Sequence, residues 1–281
     1  MLFVLDEKQN LQTLQVLTTP YADKIPVNTE TLRFAYQKLL NSMQPKVPHA
    51  NGAKPAYVSG GETVNKLIEA FGVSSLFDDT YYDIESESSQ EHSQRILEWT
   101  RSSVNKLGDS FPQFVWMFDL VMDTIFQAYS KTVAGGTTNG AVGVLWVDPR
   151  ETWSDIDMYE FLVHELAHTL LYLHEWRYGL FTSLIRLSEK PTYAMSAIRS
   201  QMRPMDKAFH SAVVATDVLL LRELILGHKG QRELHPETED LVPMVLRSIE
   251  SIREVNNREN MLTEYALSLL EQCHEKVTKI A

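Results

Sequence analysis

The chain has 281 residues, with 26 Lys and Arg against 37 Asp and Glu, a formal net charge of −11 at pH 7. Its 44% hydrophobic and 22% charged residues mark an ordinary globular protein and exclude a disordered or coiled-coil chain. The excess of acid argues against a protein that wraps nucleic acid or lies on an anionic membrane. No apolar run approaches the roughly 20 residues needed to span a bilayer. The N-terminus, MLFVLDEKQN, lacks the basic region and long apolar stretch of a signal peptide. The expectation is therefore a soluble cytoplasmic protein that binds neither nucleic acid nor membrane. The single cysteine, Cys273, lies in an apolar helical pattern and reads as a buried small hydrophobe.

Residues 29–43 carry helical apolar spacing at Leu32, Ala35, Tyr36, Leu39, Leu40 and Met43. Residues 44–61 hold Pro45, Pro48, Gly52, Pro55, Gly60 and Gly61 and read as a loop or linker. A short helix over Glu62–Phe71 closes at Gly72. Residues 78–91 carry six acids, three serines and no Lys or Arg, which predicts a solvated surface stretch, and an acidic patch to which a partner with basic residues would dock. Gln94–Leu107 reads as a helix ending at Gly108, and Phe111–Lys131 as one long apolar helix with Pro112 near its start. Ala134–Gly140 is a turn, and Ala141–Val147 is a Val-rich strand stopped by Asp148-Pro149. Beyond residue 152 the chain reads mostly helical, with breaks near Gly179, Pro191, Pro204, Gly230 and Pro236. Its last helices span about 239–254 and 258–279, the second with an apolar stripe at Leu262, Ala266, Leu269, Leu270, Cys273 and Val277.

Residues 164–168 read His-Glu-Leu-Ala-His inside the helical stretch Asp155–Glu175. Four residues advance a helix by about 400°, so His164 and His168 lie roughly 40° apart and one turn displaced. Two imidazoles so arranged can reach one metal ion. Glu165, about 100° around from His164, can address a bound water instead. The surrounding positions are apolar, from Phe161 to Leu173, so the helix is expected to be buried. Two His and a Glu buried there cost several kcal/mol unless satisfied, and a metal with its water can satisfy all three.

Three residues compete as a third ligand. His174 has the spacing that metzincin peptidases use, but Leu171, Tyr172 and Leu173 hold no helix breaker before it. On a continuing helix it lies about 120° from His168 and points elsewhere. Glu223 resembles the downstream glutamate of gluzincin peptidases, with no further motif around it. His210 shares a helix after Pro204 with Val213, Val214, Val218 and Leu221, where a core histidine is the plainer reading.

The stretch 141–222 resembles a bacterial family, the HExxH-type 2-oxoglutarate-dependent peptide β-hydroxylases, which modify ribosomally made peptides. The resemblance lies in an order of features. A short strand with Asp148-Pro149 comes first, then VHELAHTLL and Tyr193-Ala-Met-Ser-Ala-Ile-Arg199. Arg203-Pro204-Met205 and a second histidine helix with His210 and Val214 follow. The sequence departs from the family in lacking a glycine after His210. The resemblance implies Fe(II) on His164, His168 and His210, with Glu165 orienting a water or ligand. It implies Arg199 and Arg203 on a carboxylate of 2-oxoglutarate, and a peptide substrate hydroxylated on a side chain. Arg matches a carboxylate bidentately. Imidazole alone does not select iron over zinc.

The alternative is a zinc metallopeptidase with Glu165 as general base and the strand at 141–147 aligning an extended peptide. A third reading is a non-catalytic metal- or peptide-binding protein. The expected fold is mostly α (α+β), with a small sheet packed against the HExxH helix. An N-terminal helical region over 1–110, a metal-binding core over 111–230 and C-terminal helices over 231–281 are expected to form one compact unit.

Overall fold

Reciprocal capping boxes, Asp6 with Gln9, Asn28 with Thr31 and Ser154 with Asp157, start three of the helices. The computed structural model describes residues 4–22, 28–73, 84–85 and 89–281. Over those residues the chain runs α1 (Glu7–Thr18), α2 (Thr29–Met43), β1 (Ala56–Ser59), α3 (Gly61–Val73), α4 (Gln90–Ser110), α5 (Pro112–Val121), β2 (Thr124–Gln127), β3 (Gly135–Gly136) and β4 (Val144–Val147). Then come α6 (Asp155–Tyr178), β5 (Ala194–Met195), β6 (Met202–Arg203), α7 (Met205–Leu221), α8 (Thr238–Glu259) and α9 (Glu264–Ile280). The fold is mostly α with a small sheet, as expected. No described helix is long and apolar enough to cross a membrane.

The sheet order is β1-β2-β4-β3, with β1, β2 and β4 parallel and β3 antiparallel at the edge. Side chains alternate across it. Phe126, Val144 and Trp146 pack with Val64, Leu67 and Phe71 of α3. Ile125, Leu145 and Val147 face the large core shared with α4, α5 and α6. That core also takes Leu14, Leu40, Val218, Ile249 and Cys273, so buried side chains from all three sequence segments join it. Cys273 is fully buried, as its pattern predicted.

Three sequence expectations are corrected. The helix expected over 111–131 ends at Val121 and gives way to β2. Arg33 of α2 ends it, donating to the carbonyls of Asp119, Leu120 and Met122 in the last turn of α5. Asp123 then accepts the N–H groups of Ala50 and Asn51 at 2.6 and 3.0 Å, tying that loop beside the sheet. The second correction is β1, which lies inside the stretch read as a loop and pairs with β2 over four residues. The strand expected over 141–147 is shorter, Val144–Val147, because Gly143 turns at φ 84°. A Cβ there would stand 3.1 Å from the Val121 carbonyl and 3.0 Å from Leu40, so glycine is required. Most of the acidic stretch 78–91 lies outside the described residues.

His174 belongs to the architecture. Its ring bonds Tyr265 of α9 through Nδ1 and Asn10 of α1 through Nε2, so it joins three helices. It is fully buried. His174→Ala removes both bonds and opens a cavity. The expected loss is about 2–4 kcal/mol, read by urea unfolding, with metal affinity unchanged.

Candidate functional site

Glu160, His164, His168 and Tyr172 succeed one another at four-residue steps and form one stripe along α6. Two other segments bring imidazoles to that stripe. His210 comes from α7, its Nδ1 3.1 Å from Nδ1 of His168. His235 comes from the loop between α7 and α8, its Nε2 2.9 Å from Nδ1 of His164. Neighbouring ring centroids are 4.9 Å apart for His164 and His168, 5.1 Å for His164 and His235, and 5.3 Å for His168 and His210. All four rings line one cavity of about 340 Å³ together with Glu165, Arg199 and Arg203. The six residues singled out in the sequence therefore meet in one place. His174 and Glu223 do not join them; Glu223 pairs with His228 at 2.7 Å instead.

Burial keeps the imidazoles of His164, His168 and His210 neutral. It holds His164 and His168 well below the usual histidine range, helped by the cations Arg199 near the first and Lys207 and Arg203 near the second. Burial first, then Lys207, brings His210 down to about 3. Neutral rings keep a lone pair for a metal. In His164, His168 and His210, Nδ1 is engaged with another ring, and Nε2 makes no hydrogen bond among the described residues. In His235 both nitrogens are engaged, because Nδ1 lies 3.0 Å from Glu160 Oε2. The donor chemistry of the three rings fits a divalent ion of the iron–zinc group. As the rings stand they are paired with one another, and no group of three or more His, Cys, Asp and Glu side chains among the described residues is set to hold an ion.

One wall of the cavity is cationic. The β5–β6 hairpin presents Arg199 in its turn and Arg203 on β6. Ser211, beside His210, fixes that hairpin: its hydroxyl accepts the Ile198 N–H at 3.0 Å and bonds the Ser196 hydroxyl at 3.0 Å. From α8, Ser248 donates to the Met195 carbonyl at 2.7 Å. The guanidinium-bearing turn is thus held rigidly beside the histidines.

The opposite wall is the segment around β3. Thr137 donates its hydroxyl to Glu165 Oε2 at 2.8 Å, and Glu165 Oε1 lies 3.8 Å from His164 Nε2. Burial raises Glu165 to about 7, with the Thr137 bonds opposing. Glu165 can therefore hold or release a proton near neutrality. Deeper along α6, burial and Asp206 raise Glu175 to about 7 as well.

Sequence reading missed Glu160, Thr137 and His235. Glu160 was legible as the residue four before His164 on the same helix face. Thr137 sat in a Gly-rich turn without a pattern, and His235 in a break between helices. No family model matches this chain, and no curated protein matches it.

The raised Glu165 carboxyl has a stability consequence with a definite sign. Below its ordinary value of 4.5 it is protonated folded or unfolded. Between 4.5 and about 7 the folded chain keeps a proton that the unfolded chain releases, so stability falls as pH rises through that window. Glu165→Gln removes this penalty. In metal-free protein it is expected to add about 1–3 kcal/mol at pH 8 and almost nothing at pH 4.5, read as unfolding midpoints of variant against wild type.

Proposed function

We propose that the chain is a metal-dependent oxygenase that hydroxylates a peptide side chain with Fe(II), 2-oxoglutarate and O2. The observation that carries this reading is the cavity itself, where two guanidiniums stand beside the histidine cluster. Arg199 and Arg203 suit a dicarboxylate co-substrate, because a guanidinium forks onto a carboxylate with two charge-assisted hydrogen bonds. The ordered resemblance of the HExxH, Arg-Pro and His210 features supports the same reading.

In this function His164, His168 and His210 would hold the iron. Bound iron would supply the oxidising chemistry for an unactivated C–H bond while 2-oxoglutarate is decarboxylated to succinate. Arg199 and Arg203 would bind and orient the carboxylates, on a hairpin already fixed by Ser211 and Ser248. Glu165, steadied by Thr137, would hold a proton or a water at its Oε1 beside His164. Phe161, Tyr172 and Ile198 line the same space and would limit water around the reacting side chain. Neutral imidazoles leave an ion its full charge, which favours an anionic co-substrate.

One observation favours a second reading, a zinc metallopeptidase. β3 is an antiparallel edge strand, and residues 133–139 around it line the cavity beside Glu165. An extended peptide could pair with such an edge while Glu165 acts as general base.

Anaerobic reconstitution separates the two. With Fe(II) bound, adding 2-oxoglutarate is expected to produce a visible metal-to-ligand charge-transfer band. No band, with one zinc that survives chelation, contradicts the oxygenase. Arg199→Ala and Arg203→Ala are each expected to weaken 2-oxoglutarate binding roughly 10–100-fold with iron retained. Unchanged binding in both would remove the carboxylate clamp.

A further inference from the structure

The loop between α7 and α8 is built around one carboxylate on α6. Glu160 is fully buried, as are the side chains of Arg222 and Arg232 that grip it. Arg222 donates to Oε1 and Oε2 at 2.8 and 2.9 Å, and Arg232 to Oε1 at 2.8 Å. The remaining guanidinium N–H groups fasten loop backbone: Arg222 donates to the Pro236 carbonyl, and Arg232 to those of Gly227, His228 and Gly230. One turn earlier on α6, Asp157 accepts the N–H groups of Glu233 and Leu234 at 2.7 and 3.1 Å. Two acids of α6 and two arginines thus fix the backbone on both sides of His235.

That framework dictates the protons. Glu160 is ionised: burial alone would raise it, but His235 and Arg222 outweigh burial and hold it at about 2. An ionised carboxylate only accepts, so the 3.0 Å contact requires a proton on His235 Nδ1. Arg222 and Arg232 grip the same carboxylate from its other sides. With the one proton of an imidazole held at Nδ1 by that carboxylate, Nε2 of His235 faces His164 as the acceptor. The 2.9 Å contact with His164 Nδ1 needs one proton, and His164 must supply it. His164 is left with its lone pair on Nε2, the nitrogen nearest Glu165.

We propose that His235 is a positioning residue: Glu160, His235 and His164 form a carboxylate–imidazole–imidazole relay that fixes the tautomer and ring orientation of His164, so that Nε2 is presented for metal binding. The usual acceptor behind a metal-binding histidine is a carboxylate or a backbone carbonyl. Here a second imidazole extends that arrangement by one group, so that Glu160 and its buried arginines stand one ring behind His164. A purely architectural loop would need Glu160 and its arginines but no ring aimed at His164.

The test has two arms, and only the second rests on the metal reading. In the metal-free full-length protein, long-range proton–nitrogen correlation of 15N-histidine reports each tautomer. His164 is expected as the Nδ1–H form, shifting to a mixture in His235→Leu. An Nε2–H form of His164 in the wild type overturns the relay, whatever the protein binds. In the second arm, Co(II) affinity is measured by its absorption. His235→Leu is expected to weaken it about 10–100-fold. His235→Gln, which keeps an acceptor where Nε2 stood, should restore most of that loss with the wild-type spectrum. Equal affinity in His235→Leu and wild type would reduce His235 to a loop anchor. A Gln variant that fails to restore binding and alters the Co(II) spectrum would make His235 a ligand. A wild type that binds no Co(II) would contradict the proposed function and leave the first arm to decide the relay.

Discussion

Burying a row of polar side chains on the central helix is the constraint on which the rest of this structure depends. α6 is apolar around most of its circumference, and Leu162, Val163, Leu166 and Leu170 are sealed in the core. The same helix carries Asp157, Glu160, His164, Glu165 and His168. Unpaired, each of these would cost on the order of 1–3 kcal/mol or more once out of water. The chain answers each demand with a particular neighbour. Asp157 takes backbone N–H groups, Glu160 takes two arginines, and Glu165 takes Thr137. The two motif histidines are matched by His235 and His210.

Those answers shape the architecture around the helix. The α7–α8 loop is folded by Arg222 and Arg232 reaching back to α6. α7 lies along α6 and carries His210 to His168, while its next residue, Ser211, fixes the hairpin of Arg199 and Arg203. The edge strand β3 leads to Thr137 on the far side. Electrostatics follow from this placement. Burial lowers the histidines and raises Glu165, and nearby cations lower the histidines further. The result is a cavity that combines neutral rings at His164, His168 and His210, a carboxyl raised to about 7 and a cationic wall.

How much of this was legible depended on whether the information was local. The HExxH spacing places His164, Glu165 and His168 by helical geometry alone, and the apolar run around them announced burial. Arg199, Arg203 and His210 came from an ordered resemblance and do line the same cavity. β1 and β2 were not legible. Both are only four residues long and parallel, and β2 is buried on both faces, so it shows no alternation and merges with the apolar helix before it. The break at Val121 comes from Arg33, many residues earlier in the chain. His235 was hidden for the same reason: its loop is fixed by side chains of α6, and no local pattern marks it. His174 was read correctly as pointing away, because that required only continuation of the helix.

In the proposed function three imidazoles hold one ion, with His235 behind them. X-ray absorption at the iron edge of the anaerobically loaded protein tests this directly. One iron per chain is expected, with multiple-scattering features of three imidazoles, unchanged in number in His235→Gln and reduced by one in His210→Ala. An iron bound by fewer than three imidazoles in the wild type, or a count that falls with His235 and not with His210, would contradict it.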